Sequence, residues 1–362
     1  MRIQPVDASA YREFAAQATA GELPFGRVFT PHMVMVRYTL EKGWHDGQVV
    51  DRRPFPMDPA AMCLHYGQTA FEGLKAHRQD DGQVVLFRGR DHAERMRRTA
   101  ERLCMPPLPV DDFVEAVTAL VTTDHAWVPA REGTSMYVRP TMIATEPALG
   151  VRPAKEYLFF VIATASGPYF QEGFRGIRVA VERSMSRASP GGLGSAKVGA
   201  NYVASLLAAE RAKNNGCRQV LWLDACEHRW IEETGASNVF WVQDGVIHTP
   251  PTGDTVLRGV TRDSIMQLAP VLGMAVAETR MSLDSLLAGI RSGAISELFG
   301  SGTAAVVTPI AELMVDDEVV PIGDGQAGPV ARKLYQEMTA LHRGRSTDRF
   351  GWLTPVGRPV WA

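Results

Sequence analysis

Cysteine, clustered charge and long apolar runs are all scarce in this 362-residue chain, and each scarcity removes a class of function. The four cysteines, Cys63, Cys104, Cys217 and Cys226, are far apart or poorly spaced as ligands, and none forms a CxxC pair. That argues against a disulfide framework and against a zinc site, and no metal is expected. The 38 basic and 40 acidic residues nearly cancel, and Lys and Arg do not gather in a run. The chain therefore carries no electrostatic footprint for nucleic acid or an anionic membrane. No stretch of about 18 apolar residues occurs, and the first residues lack the apolar core of a signal peptide, so a cytoplasmic protein is expected. Internal repeats and low-complexity segments are absent as well.

What is there fits a folded chain of about two domains. Short β-like runs alternate with amphipathic helices, the pattern of an α/β or α+β protein. Strands are expected at Val34–Tyr38, Gln83–Phe87, Ser135–Ile143 and Tyr157–Ala163. Helices are expected from Asp91, as cap, to Leu103, and from Asp112 to Thr122. The turn-rich Gly167–Gly176 segment reads as a link, dividing a small domain over 1–166 from a large one over 177–362, with 167–176 as interdomain loop. Beyond it come a strand at Ile177–Glu182, a glycine-rich loop at Ser189–Gly194 and a helix over Tyr202–Asn214 stopped by Asn215-Gly216. Further strands fall at Gln219–Leu223, Ala236–Gln243 and Val246–Thr249, the last two joined by the hairpin signal Asp244-Gly245.

Four stretches could carry chemistry. Lys197 stands among small residues in Gly191-Gly-Leu-Gly-Ser-Ala-Lys-Val-Gly-Ala-Asn-Tyr. A planar ligand could approach its amine unobstructed, and a desolvated amine is a nucleophile for an aldehyde. A surface lysine in a flexible loop remains the competing reading, while the Gly-Lys-Ser/Thr order of a phosphate loop is missing. In Trp230-Ile-Glu-Glu-Thr-Gly-Ala-Ser-Asn, two carboxylates precede a strand; either they are solvated, or one is buried and needs a cation such as a protonated pyridine nitrogen. Arg258-Gly-Val-Thr-Arg-Asp-Ser opens a helix whose free amides suit a phosphate, and Phe299-Gly-Ser-Gly-Thr-Ala-Ala makes a second anion-friendly turn, although many helices and turns look like this.

Taken with Leu64-His-Tyr-Gly-Gln-Thr-Ala-Phe-Glu-Gly-Leu-Lys-Ala, Leu86-Phe-Arg, His92-Ala-Glu-Arg-Met and Tyr137-Val-Arg-Pro, in this order along the chain, these stretches resemble the branched-chain aminotransferases of the fold-type IV pyridoxal-phosphate enzymes. The likeness runs from about Phe29 to Glu337. It implies an α/β (α+β) fold of two domains with pyridoxal 5′-phosphate at their interface, and a homodimer. It further implies that Lys197 anchors the cofactor and shuttles the proton, that Tyr202 bonds its phenolic oxygen, and that Glu233 pairs with its ring nitrogen. Arg95, the amides of Val260 and Thr261, and the Thr303 hydroxyl would take the phosphate. Tyr66, Phe71 and Tyr169 would wall an apolar substrate pocket, with Tyr137, Arg139, Thr303 and Ala304 at the substrate carboxylate.

The implied reaction is reversible transfer of the amino group of leucine, isoleucine or valine to 2-oxoglutarate. Ala236 and Ser237 depart from the family's usual pattern after the glutamate and bear on substrate preference. The redox CxxC of mammalian mitochondrial members is replaced by Ala305-Val-Val-Thr. Competing readings are a D-amino-acid aminotransferase, an aminodeoxychorismate lyase, a biosynthetic-pathway aminotransferase with an unusual donor, and a binder of the cofactor that has lost activity.

Overall fold

The computed structural model describes residues 2–4, 12–167 and 174–358. The chain forms two compact units. The first comprises Met1–Tyr169, Lys197–Gly199 and Thr339–Ala362; the second comprises Phe170–Ala196 and Ala200–Met338.

Unit 1 contains α1 (Arg12–Ala20), β1 (Val28–Phe29), β2 (His32–Thr39), β3 (Gly43–Asp51), α2 (Met62–Tyr66), β4 (Thr69–Phe71), β5 (Leu74–Arg78), β6 (Val84–Phe87), α3 (Gly89–Arg102), α4 (Val110–Thr123), β7 (Ser135–Ala144) and β8 (Glu156–Ser166). Among the described residues its sheet has nine strands: Leu353–Val356, β6, β5, β7, β8, β2 and β3 in order, with β1 on β8 and β4 on β7. Part of the final dozen residues is thus an ordered strand, antiparallel to β6. The central strand β7 is buried almost throughout, as its apolar run requires. Helices α3 and α4 pack Met96, Ala100, Phe113, Val117 and Leu120 into one core with Val34, Phe159 and Val161.

Two details of unit 1 differ from expectation. Helix α3 begins at Gly89 behind a left-handed Arg88 (φ 53°), so Asp91 lies in the first turn rather than at the cap, where it accepts from Arg88 Nε at 2.8 Å. Helix α4 starts two residues earlier than read, which puts both Asp111 and Asp112 in its first turn, favourable to the helix dipole.

Pro140 lies in the middle of β7, where a missing N–H would normally break a ladder. The neighbouring strand accommodates it: β4 pairs with 141–143 and β5 with 136–138, leaving Glu72 and Gly73 as a break opposite Arg139 and Pro140. The Pro140 carbonyl still accepts, from Glu72 N at 2.8 Å. Gly73 lets Tyr137 close in, since a Cβ there would lie 1.9 Å from its Oη.

Unit 2 contains β9 (Ile177–Glu182), α5 (Gly199–Val203, its first residue counted with unit 1), α6 (Leu206–Asn214), β10 (Gln219–Leu223), β11 (Ile231–Thr234), β12 (Ser237–Gln243), β13 (Val246–Thr249), α7 (Val260–Val271), β14 (Val276–Glu278), α8 (Leu283–Ser292), β15 (Ile295–Gly302), β16 (Val306–Val315), β17 (Glu318–Pro321) and most of α9 (Pro329–His342). Its strands run β11-β10-β9-β16-β15-β12-β13-β14, and a further β11–β12 pairing closes the first six into a barrel around Val179, Leu221, Val239, Trp241, Leu298 and Leu313. Asp244 and Gly245 both take positive φ (50° and 79°), as the expected two-residue hairpin demands.

The single helix expected over Tyr202–Asn214 is two. Ser205 Oγ donates to the Tyr202 carbonyl at 2.7 Å and Ser205 N reaches the same oxygen, which diverts it from the helical ladder and divides α5 from α6.

Candidate active site

Within unit 1 the short segment Lys197–Gly199 lies against β4. Phe71 N donates to the Lys197 carbonyl at 3.1 Å, Lys197 N donates to Thr99 Oγ1 at 3.1 Å, and Ala70 bridges Val198. The lysine is therefore fixed through its backbone on both sides and is no loop-borne surface residue. Its Nζ stands 5.0 Å from the centroid of the Phe71 ring. The Arg139 guanidinium lies over the same ring at 4.8 Å and over Tyr137 at 5.3 Å, with Arg139 Nη2 donating to Tyr137 Oη at 3.1 Å. Lys197, Phe71, Tyr137 and Arg139 thus form one cluster, which Phe25 closes edge-on against Tyr137. Arg139 Nε is buried with no hydrogen-bond partner among the described residues, an orphan donor that costs stability unless a ligand supplies an acceptor.

Arg95, Thr99 and His92 share one face of α3. Arg95 is buried, and its fork grips Glu72 side-on, Nε to Oε1 at 2.7 Å and Nη2 to Oε2 at 2.8 Å. His92 Nδ1 meets Glu72 Oε2 at 2.8 Å. Burial alone would raise the Glu72 carboxyl, but the charge and bonds of Arg95 and the bond from His92 outweigh it and hold the group well below the usual carboxylate range. Burial, together with the charges of Arg95 and Lys197, lowers His92 against the opposing pull of Glu72, so its ring stays neutral with the Nδ1 proton directed at Glu72.

Of the other residues expected in unit 1, Tyr66 is 39% exposed at the end of α2, and its hydroxyl donates to the Leu149 carbonyl at 2.6 Å. Tyr169 lies outside the described residues.

Within unit 2, Glu233 is the inward acid of the pair expected near the strand. It is 3% exposed and accepts from Arg187 Nε (2.9 Å), Leu257 N (2.7 Å) and Asn238 Nδ2 (3.3 Å). The sequence suggested that its cation comes from a ligand, yet the protein supplies Arg187, which also donates to the carbonyls of Thr255 (2.6 Å) and Gly194 (3.3 Å). Asn238 links this carboxylate to α7: its Nδ2 also donates to Leu257 O at 2.8 Å, and a Cβ on Gly259 would lie 2.0 Å from its Oδ1. Gly259 caps α7, so Val260 and Thr261 present the first-turn amides, both buried. Glu232, the neighbouring acid, instead takes the Thr255 hydroxyl, and burial raises its carboxyl.

Thr303 and Ala304 form the turn between β15 and β16, half-buried. The turn ends on Val306 at φ 65°, a left-handed conformation that a β-branched residue rarely adopts. Ser237 sits under it, its Oγ 3.0 Å from where a Gly302 Cβ would be. Tyr202 is half-buried on α5.

Glu72, His92, Thr99, Arg187 and Asn238 had no role in the sequence reading. Only Glu72 left a local signal, an acid wedged between Phe71 and Gly73 in an apolar run. Among the described residues no group of three or more His, Cys, Asp or Glu could hold a metal, and no helix is long and apolar enough to cross a membrane.

Known proteins are similar to this chain in sequence and in fold. The branched-chain-amino-acid aminotransferase 2 of Bacillus subtilis (strain 168) is 43% identical over 335 residues, covering 92% of each chain. The probable branched-chain-amino-acid aminotransferase of Streptomyces coelicolor is 46% identical over 330 residues, covering 91% of each. Among solved structures, the branched-chain amino acid aminotransferase from Escherichia coli superposes with a TM-score of 0.73 at 31% identity, over 90% of this chain and 100% of its own. The T.th. branched-chain amino acid aminotransferase with pyridoxamine 5′-phosphate gives 0.74 at 32%, over 89% and 98%. Residues 69–313, from β4 through most of β16, match the class IV amino-transferase family, and with relatives this similar over nearly its whole length the chain belongs to that family.

Proposed function

We propose that this protein is a pyridoxal-phosphate-dependent aminotransferase that passes the amino group of leucine, isoleucine or valine reversibly to 2-oxoglutarate. The observation that carries the reading is Lys197, pinned between Phe71 and Thr99 with its amine over an aromatic face and the Tyr137–Arg139 pair on the same ring. The donor set fits the cofactor: an amine for the aldehyde, a buried carboxylate for a protonated ring nitrogen, and an arginine fork and helix amides for a phosphate. The orphaned Arg139 Nε fits a substrate carboxylate. The names of the relatives support the branched-chain substrate, and the pyridoxamine 5′-phosphate of the T.th. enzyme supports the cofactor.

When bound, pyridoxal phosphate supplies an electron-withdrawing ring that stabilises negative charge at the substrate Cα. Lys197 Nζ would anchor it, and the same amine would carry the proton to and from that carbon. Glu233, paired with Arg187, would face a protonated ring nitrogen, and Tyr202 would donate to the phenolic oxygen. Arg95, Val260, Thr261 and Thr303 bind the phosphate. Arg139 and Tyr137, with Thr303 and Ala304, orient the substrate carboxylate, while Phe71, Tyr66 and Tyr169 offer apolar walls to a branched side chain.

The protein acts as a homodimer in this reading, supported by Val203, Leu206 and Leu207, which expose 55–65% of their surface on α5 and α6. Light scattering should give twice the 39.6 kDa chain mass. A cytoplasmic location accords with four cysteines that are all free thiols.

The purified protein should be yellow, borohydride should fix the cofactor to Lys197, and Lys197→Ala should lose turnover with every donor. A colourless protein with no adduct at Lys197 refutes the reading. Faster turnover of D-alanine than of L-leucine would assign the site to a D-amino-acid aminotransferase instead.

A further inference from the structure

We infer that Glu72 is a positioning residue that sets cofactor affinity by aiming the Arg95 fork, an inference that rests on the proposed role of Arg95 at the phosphate. Glu72 is fully buried in the break between β4 and β5, with its backbone held by Pro140. Four donors converge on its carboxylate: Arg95 Nε, Arg95 Nη2, His92 Nδ1 and the Gly73 amide at 3.1 Å. The side-on grip uses one edge of the guanidinium and turns the Nη1–Nη2 end away from Glu72. An arginine whose plane is already fixed surrenders little rotamer freedom when an anion arrives at that end.

Two effects of Glu72 oppose each other. Its charge offsets that of Arg95 and weakens long-range attraction for a phosphate, whereas its geometry aims the fork. Orientation wins, because Arg95 is 5% exposed and water cannot replace the lost acceptors. A glutamine at 72 would set an NH2 group against donors from Arg95, His92 or Gly73, and the fork would have to leave its present plane. His92 fits the same account. As a neutral ring it donates to Glu72 from Nδ1, 3.3 Å from Arg95 Nη2, where a second cation would repel the guanidinium.

The test compares pyridoxal phosphate with phosphate-free pyridoxal, titrated against the full-length protein and read from the absorbance of the Lys197 adduct. Glu72→Gln should weaken pyridoxal phosphate about 10–100-fold, the equivalent of one charge-assisted hydrogen bond, and leave pyridoxal unchanged. Arg95→Lys should weaken pyridoxal phosphate selectively in the parent but much less in the Glu72→Gln background, because the two act as a unit. Should Glu72→Gln not fold, Glu72→Asp, which keeps the charge but withdraws it by one methylene, is read the same way. Wild-type affinity for pyridoxal phosphate, an equal loss for both ligands, or additive effects of the two substitutions would each overturn the inference. Arg95→Lys that leaves the ratio of the two affinities unchanged would overturn the assignment of Arg95 itself, and this inference with it.

Discussion

Replacing Arg187 with methionine should destabilise the protein far more than loss of an ordinary ion pair. Arg187 and Glu233 are 8% and 3% exposed, their contact is 2.9 Å, and Arg187 also serves the Thr255 and Gly194 carbonyls. With Arg187→Met, Glu233 keeps the bonds from Leu257 N and Asn238 Nδ2 but loses the cation that made its burial tolerable. Breaking such a buried pair from one side costs about 3–5 kcal/mol, against about 0–1 kcal/mol for an exposed pair. For a unit of this size that is a fall of roughly 6–20 °C in Tm. Adding Glu233→Leu should recover much of the loss, since an apolar replacement of both partners leaves no stranded charge. Activity should not return, because the proposed partner of the ring nitrogen has gone. Urea midpoints followed by tryptophan fluorescence would measure this, with Trp222 opposite Glu233 in the β10–β11 ladder as a nearby reporter. A loss below about 1 kcal/mol for Arg187→Met, or additive losses in the double variant, would show that the pair does not neutralise a buried charge.

Two other perturbations probe unit 1. Gly73→Ala should cost about 1–3 kcal/mol and lower kcat/KM for leucine, because the new Cβ would displace Tyr137, whose hydroxyl Arg139 holds; unchanged kinetics would remove Tyr137 from the substrate site. His342→Phe should make stability less sensitive to acid. His342 stacks on His77 at 4.1 Å, burial followed by the Lys75 charge pushes it down to about 3, and burial with the charges of His342, Lys75 and Arg343 lowers His77. The unfolded chain therefore takes up protons first: the stability contribution is whole above the ordinary value of 6.5 and drains as pH falls toward about 3. Wild type should lose up to about 1.4 kcal/mol per pH unit more than the variant between those limits, measured as urea midpoints at successive pH values.

Much of the fold could be read from local pattern. Ile177–Glu182, Gln219–Leu223 and Val246–Thr249 are strands with the expected bounds, because each is a short apolar run closed by turn formers or charges. The division of α5 from α6 could not be read, since alanine-rich propensity favours one helix and only the rotamer of Ser205 decides against it. Lys197 stood out among small residues, and the α7 start was marked by Gly259.

The residues that surround these landmarks escaped notice for a common physical reason. A buried charge must find a counter-charge, but nothing local says where, so Glu233 could be read as needing a cation without any sign that Arg187 supplies it. Glu72 is the exception. Pro140 in an otherwise strand-like run requires a gap in the neighbouring strand, because it has no N–H to offer. The gap needs a residue whose own amide can reach the Pro140 carbonyl, followed by one small enough to clear Tyr137; Glu72-Gly73 meets both conditions. An acid at such a break points off the regular pleat into the core, where an arginine must meet it. The proline in β7, the glycine beside Glu72 and the buried Arg95 fork are therefore parts of one constraint, and altering any of them should disturb the others.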